Sequence, residues 1–260
     1  MYAEPSADAQ VVSQCLYGTN VESIEERPGW LRIRSPDGYL GWVDQTGLLP
    51  RPGRPYGTTP TVGRVWNLFA SIYAEPDVTR RRPLLTVPFA VRLEVVSLPQ
   101  AGERWVQVRL VDDRLAWIQR GDLSLRLEPL SVGEIIGVAR RLVGLPYRWG
   151  GTSTYGFDCS GLTQLLCSLR GVLIPRDSGP QSRWEGMVDV SRAELEPGDL
   201  LFFGSSPDKV THTGLYLGGG EFVHATTHGT PTVRIDRLDD PYWSELLVRC
   251  RRLLARPKSP

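Results

Sequence analysis

The chain has 260 residues, 41% of them hydrophobic, which is enough to build cores for two or three compact units. Its 30 basic and 29 acidic residues are well mixed and leave a net charge of +1, so no field exists to recruit nucleic acid or an anionic membrane surface. The longest apolar stretches, such as "GDLLFFG", fall far short of the roughly 20 residues that a membrane span needs. The opening "MYAEPSADAQ" lacks the basic region and apolar core of a leader, so a cytoplasmic location is expected, with export if an upstream leader precedes this stretch. Cys15, Cys159, Cys167 and Cys250 show no paired spacing, which fits neither a disulfide framework nor a zinc site and predicts individual, reduced thiols.

The first half repeats itself. "YAEP" at Tyr2 to Pro5 recurs at Tyr73 to Pro76, and Trp30 and Trp42 find counterparts in Trp105 and Trp117, each pair twelve residues apart. Both tryptophan segments alternate apolar and polar residues around a turn signal, Pro36-Asp37-Gly38 in one and Asp112-Asp113 in the other, and so predict a hairpin in a small β-barrel. The offset grows from 71 to 75 residues between the two motifs, which places about four extra residues in the early loops of the second copy. The units resemble bacterial SH3-like domains, known as wall-binding or substrate-positioning modules, over 1–50 and 61–127. The proline- and glycine-rich "LPRPGRPYGTTP" between them, Leu49 to Pro60, predicts a semi-rigid spacer.

Beyond Ser131 the period changes to helical. Ser131 and Glu134 have capping-box spacing, and Ile135, Ile136, Ala139, Leu142 and Val143 form an apolar face that stops at Gly144. A second helix is expected from Asp158 or Cys159 to about Leu169, with Leu162, Leu165, Leu166 and Leu169 inward. Strand-like "DLLFFG", "HTGLYLG", "EFVHAT" and "VRIDRL" follow, and two helices ahead of antiparallel strands make an α+β domain over 131–260.

Most free cysteines are small buried hydrophobes, and Cys167 and Cys250 fit that role, as does Cys15 in an expected strand of the first barrel. Cys159 differs because it opens a predicted helix, where unpaired N–H groups and the macrodipole favour a thiolate. Gly150, Gly151 and Gly156 permit close backbone approach there, while small Ser160 and Gly161 leave the sulfur uncovered.

A cysteine nucleophile needs a base. "HTGLYLGGGEFVHA" predicts a hairpin centred at Gly218, which sets His212 and His224 directly opposite on one face. His212 then takes the Cys159 proton and His224 orients His212; two solvated strand histidines are the plainer alternative. His228, in "THGTPT", is expected at the surface. Zinc held by Cys159, His212 and His224 is disfavoured for want of close ligand pairs, so no metal or other cofactor is expected.

Taken in order, "YRWGG…FDCSGL", "LEPGDLLFF" and "HTGLYLGGGEFVHA" closely resemble the NlpC-type bacterial cell-wall cysteine peptidases over residues 131–254. The resemblance implies a papain-like α+β fold with Cys159 as nucleophile, His212 as base and His224 as the orienting third residue. It implies hydrolysis of peptidoglycan stem peptides between γ-D-glutamate and the following L-diamino acid. Tyr147 is implied beside the nucleophile, against the alternative of core packing with Trp149, and the Cys159 N–H as an oxyanion donor.

With two SH3-like units in front, the chain resembles more narrowly the γ-D-glutamyl-L-diamino acid endopeptidases of muropeptide recycling, whose substrates carry a free N-terminal L-alanine. In that group the first SH3-like domain closes one end of the cleft and acidic groups meet the substrate ammonium. Asp158 and Ser160 match that role, "IPRDSGPQS" matches a segment whose Arg176, Asp177 and Ser178 line the cleft, and Glu4 and Tyr39 are the matched positions of the first barrel. By residue type alone, Asp158 serves equally as a helix N-cap and Glu4 as a solvated charge. The implied partner is a stem peptide, L-Ala-γ-D-Glu-diamino acid, acted on by a monomer. A secreted hydrolase of intact wall and a catalytically silent wall-binding protein are the competing readings.

Overall fold

The computed structural model describes residues 1–98, 100 and 102–254; the last six residues of the expected 131–260 domain lie outside them. Two compact units divide the chain at Glu128/Pro129.

In the first unit, β1 (Glu22–Arg27), β2 (Trp30–Arg34) and β3 (Leu40–Asp44) form an antiparallel three-stranded sheet. Among the described residues a second sheet has seven strands: β4 (Val62–Val65), β5 (Phe69–Tyr73), β6 (Leu85–Pro88), β7 (Arg92–Val95), β8 (Trp105–Arg109), β9 (Leu115–Gln119) and β10 (Leu123–Ser124). The repeat seen in the sequence is built into both. Tyr2 meets Trp30 edge-on at 5.5 Å and bridges to Trp42, while Tyr73 meets Trp105 edge-on at 5.6 Å and pairs with Trp117. Each tryptophan hairpin then runs into a short 3-10 turn, Gln45–Gly47 in one and Arg120–Asp122 in the other. Alternation along the strands buries Ile33 in the first sheet and Ile72, Leu93, Val108 and Ile118 in the second.

Two expectations are corrected here. The segment from Leu49 to Pro60 holds no strand, yet it does not act as a spacer. Its Tyr56 is buried, exchanges backbone-to-side-chain bonds of 2.8 Å with Asn20, and donates its hydroxyl to Arg109 O at 2.5 Å, so the two sheets belong to one unit. Cys15 lies outside any strand and is exposed, because the chain before Glu22 wraps the sheet as a loop.

The second unit opens with α1 (Val132–Arg141), which carries the capping box: Ser131 Oγ accepts from Glu134 N–H and the Glu134 carboxylate accepts from Ser131 N–H. Its buried face is Ile135, Val138, Ala139 and Leu142; Val143, past the helix end, is 43% exposed and leaves the predicted stripe. A hairpin of β11 (Thr152–Ser153) and β12 (Gly156–Phe157) leads into α2 (Cys159–Leu169) and then α3 (Ser178–Ser182).

The remaining strands are β13 (Met187–Val190), β14 (Leu200–Gly204), β15 (Val210–Gly218), β16 (Glu221–Thr226), β17 (Thr232–Arg237) and β18 (Leu247–Leu253), with α4 (Pro241–Leu246) before the last. They form one antiparallel sheet in the order β13-β18-β14-β15-β16-β17. The four apolar residues of β14, Leu200 to Phe203, are all fully buried, as expected for a central strand covered on both faces. α2 and α3 pack against β15, so the helix that starts with Cys159 meets the strand that carries His212.

Candidate active site

The position of Cys159 is fixed by the loop before it. Asp158 caps α2, accepting from Gly161 N–H at 2.7 Å, and also accepts from Gly150 N–H at 3.0 Å. Its carboxylate meets Arg176 in a two-point bond, 3.0 Å to Oδ1 and 2.6 Å to Oδ2, and the same guanidinium donates to Ser160 Oγ at 3.0 Å. A Cβ at Gly161 would run into the Gly151 carbonyl, so the first turn of α2 rests directly on the glycine loop. Gln181 of α3 locks the other side, donating to Ser160 O at 3.0 Å and accepting from Thr163 Oγ1 at 2.9 Å.

Cys159 is the first residue of α2, so no carbonyl of its own helix takes its N–H. Its sulfur accepts from the backbone N–H of Thr213, the residue after His212, and of Ser160. Burial works against the thiolate that the helix terminus favours. Burial, with the Asp158 charge adding to it, pushes the Cys159 thiol up to about 12 against the pull of those two N–H groups and Arg176. Nor is the sulfur left open, since Cys159 is only 9% exposed.

Tyr147 stands beside this pair. Burial first, then the Cys159 and Asp158 charges, raise its hydroxyl to about 12, with Arg176 opposing, so it remains a neutral donor. Packing against Trp149 does not account for it, because Trp149 is 60% exposed. Asp177 is exposed at the N-cap position of α3 and the half-buried Ser178 follows it. Glu4 is exposed in a turn of the N-terminal unit, and Tyr39, half-buried, ends the β2–β3 turn there.

The histidines meet, by a route different from the predicted one. Leu215 pairs with Val223 and Tyr216 with Phe222, with a bulge before the Gly218–Glu221 pair, so the hairpin centres at Gly219. That register sets Gly214 across from His224 and His212 one diagonal step away on the same face. His212 Nε2 and His224 Nδ1 are 2.7 Å apart. Glycine is required at 214: a Cβ there would lie 2.8 Å from the Phe222 ring and 3.2 Å from His224 Cβ.

A third residue, absent from the predicted set, completes the line. His224 Nε2 is 3.2 Å from Asp236 Oδ2, and that oxygen also accepts from Arg234 Nε at 2.9 Å, Arg234 Nη2 at 2.5 Å and Trp243 Nε1 at 2.8 Å. Trp243 stacks on His212 with 5.2 Å between centroids and meets His224 edge-on at 4.7 Å. The only sequence signal for Asp236 is its interval, twelve residues beyond His224 as His224 is beyond His212. His228 is exposed and stacks on Tyr242 at 3.9 Å.

Burial and the neighbouring His224 lower the His212 pKa well below 6.5, with Asp236 opposing. Burial lowers His224 as well, against the Asp236 hydrogen bond and charge. Burial opposes ionisation of Asp236, but its bonds from His224 and Arg234, the His224 charge and the Trp243 N–H hold it far below the usual carboxylate range. Burial thus favours the neutral form of both groups, the thiol at Cys159 and the imidazole at His212.

A helix-borne cysteine packed against a histidine strand of an antiparallel sheet defines a papain-like cysteine hydrolase. Residues 144–252 match the NlpC/P60 family and residues 1–48 match the bacterial dipeptidyl-peptidase Sh3 domain. The chain is 37% identical to the gamma-D-glutamyl-L-lysine dipeptidyl-peptidase of Bacillus subtilis (strain 168), over 94% of this chain and 82% of that one. It is 30% identical to the protein of the same name from Bacillus cereus (strain ATCC 10987), over 93% of this chain and 75% of the relative. The crystal structure of an NlpC/P60 family protein from Bacillus cereus ATCC 10987 superposes with a TM-score of 0.84 at 29% identity, covering 94% of this chain and 82% of that one. The chain belongs to the NlpC/P60 family and is a cysteine hydrolase.

Proposed function

We propose that the protein hydrolyses the γ-D-glutamyl-L-diamino acid bond of peptidoglycan-derived peptides that carry a free N-terminal L-alanine, releasing L-Ala-γ-D-Glu. The observation that carries this reading is that likeness to the gamma-D-glutamyl-L-lysine dipeptidyl-peptidases runs through both units, the Sh3 region included. A dipeptidyl-peptidase, as those relatives are named, removes two residues from an unblocked N-terminus. Cys159 attacks the γ-carbonyl while its proton passes to His212. The oxyanion faces the Cys159 N–H at the start of α2, and the tetrahedral intermediate expels the diamino acid amine, which takes that proton. Water then resolves the thioester.

Tyr147, Asp158, Ser160 and Arg176 are assigned to the substrate side of the nucleophile, with Asp177 and Ser178 beyond them; Glu4 and Tyr39 are proposed to add to selection of the free amine. Since Arg176 already balances the Asp158 carboxylate, that pair brings no net charge of its own to an ammonium. A monomer in the cytoplasm completes the proposal, tested by light scattering and cell fractionation.

The decisive experiment is mass-spectrometric product analysis on free L-Ala-γ-D-Glu-diamino acid and on the same peptide amide-linked to N-acetylmuramic acid, each repeated with Cys159→Ala. Cleavage of the free peptide alone, lost in the variant, is the expected result. Cleavage of both would reassign the protein to intact wall, and cleavage of neither would leave it a binding protein.

A further inference from the structure

The imidazoles of His212 and His224 each have two ring nitrogens, and a general base must present an unprotonated one to the thiol. His212 Nε2 is committed to His224 Nδ1 at 2.7 Å, so Nδ1 is the only ring nitrogen of His212 left for Cys159. Which partner of the histidine pair carries the shared proton is decided one residue further on. His224 Nε2 faces Asp236 Oδ2, an acceptor kept ionised and held in place by both Arg234 N–H groups and the Trp243 N–H. Arg234 is itself tied down through Nη1 to His228 O at 3.1 Å.

We propose that Asp236 is a positioning residue of the catalytic machinery: by accepting the Nε2 proton of His224 it sets the tautomers of both imidazoles and leaves His212 Nδ1 as the basic atom. With Nε2–H donated to Asp236, His224 Nδ1 bears a lone pair and accepts from His212 Nε2–H. His212 Nδ1 is then unprotonated. The opposite arrangement puts the His224 Nε2 lone pair against a carboxylate oxygen and protonates His212 Nδ1, which disables the base. In the forward step the Cys159 S–H bond breaks, its proton binds His212 Nδ1, and Sγ bonds to the carbonyl carbon. The positive charge on His212 is met by His224, whose other nitrogen stays bonded to the Asp236 anion. The proton later leaves with the amine.

This inference rests on Cys159 being the nucleophile of the reaction proposed above, but its main test needs no substrate and so succeeds or fails apart from that reading. Histidine ring nitrogens in the full chain, ¹⁵N-labelled and assigned with His228→Gln and His224→Gln, are read by long-range ¹H–¹⁵N correlation at neutral pH. The expected spectrum shows His212 and His224 both as neutral Nε2–H tautomers. An Nδ1–H tautomer at either residue would overturn the proposal.

In Asp236→Asn the His224 signals are expected to turn to a tautomer mixture, with kcat reduced on the order of 10²-fold or more and KM within about twofold. Since Asp236 raises the His212 pKa, its loss also moves the acid limb of kcat/KM to lower pH; the charged and titratable groups on these rings are His212, His224, His228, Arg234 and Asp236. A folded Asp236→Asn with kcat within about threefold of the parent would sink the proposal. If that variant does not fold, the parent spectrum alone decides.

Discussion

Arg176 and Asp158 form a buried two-point ion pair at the mouth of α2, with the Arg176 side chain 1% exposed and the Asp158 side chain 11% exposed. The pair joins the segment after α2 to the residue that caps it, and so fixes the height at which Cys159 stands. Arg176→Met leaves a buried carboxylate without its counter-charge and is expected to cost about 3–5 kcal/mol, read as a fall in Tm. Arg176→Lys keeps the charge but loses the fork, and should recover only part of that stability.

Acid should affect activity and stability separately. A base whose pKa is lowered stays unprotonated to lower pH, so kcat/KM is expected to remain flat as pH falls through 6.5 and to decline only well below it. Folding behaves otherwise, because His212 and His224 bind protons less readily folded than unfolded. Their contribution to stability is complete above the unfolded value of 6.5 and is lost as pH falls below it, which a series of melting curves will show.

The same site predicts a thiol that is neutral before substrate arrives. On a Cys15→Ser background, alkylation of Cys159 by iodoacetamide should climb steadily between roughly pH 6 and 9. A rate already level at the acidic end would instead reveal a standing thiolate–imidazolium pair.

Gly214→Ala places a methyl 2.8 Å from the Phe222 ring and 3.0 Å from Val223 O, with His224 Cβ at 3.2 Å. Overpacking of this kind costs about 1–3 kcal/mol. Here it also displaces His224, so kcat should fall more than the loss of stability explains when assayed well below Tm.

Thr213 is fully buried, and its hydroxyl has no hydrogen-bond partner among the described residues. Thr213→Val removes that unpaired group while keeping the backbone N–H that meets Cys159. Stability is expected to hold or rise by up to about 1 kcal/mol in thermal melts, with kcat unchanged.

Local chemistry was legible in the sequence; pairing across distance was less so. The Ser131–Glu134 capping box and the Asp158 N-cap depend on residues three apart, and both stand where their spacing put them. The hairpin was read one residue short because Gly218, Gly219 and Gly220 all adopt positive φ and spacing alone does not choose among them. Asp236 was missed although its strand was read correctly. Its meaning depends on the β16–β17 register, Phe222 opposite Asp236 and His224 opposite Arg234, which no local pattern encodes. The edge strand β13 and its neighbour β18 were missed for a similar reason: "LVRCRRL" carries arginines, Arg249 and Arg251, that bond to the Ser182, Trp184 and Met187 carbonyls rather than the plain alternation of a half-buried strand.

His212, His224 and Asp236 fall on a straight diagonal across three neighbouring strands, each step set by pairing rather than by the chain that links them. A slip of one residue in either pairing turns a whole strand face to the other side. Turnover is thus a sensor of strand alignment. Any variant, truncation or refolded sample that cleaves peptide has aligned β15, β16 and β17 correctly, whereas circular dichroism reads strand content and is blind to register.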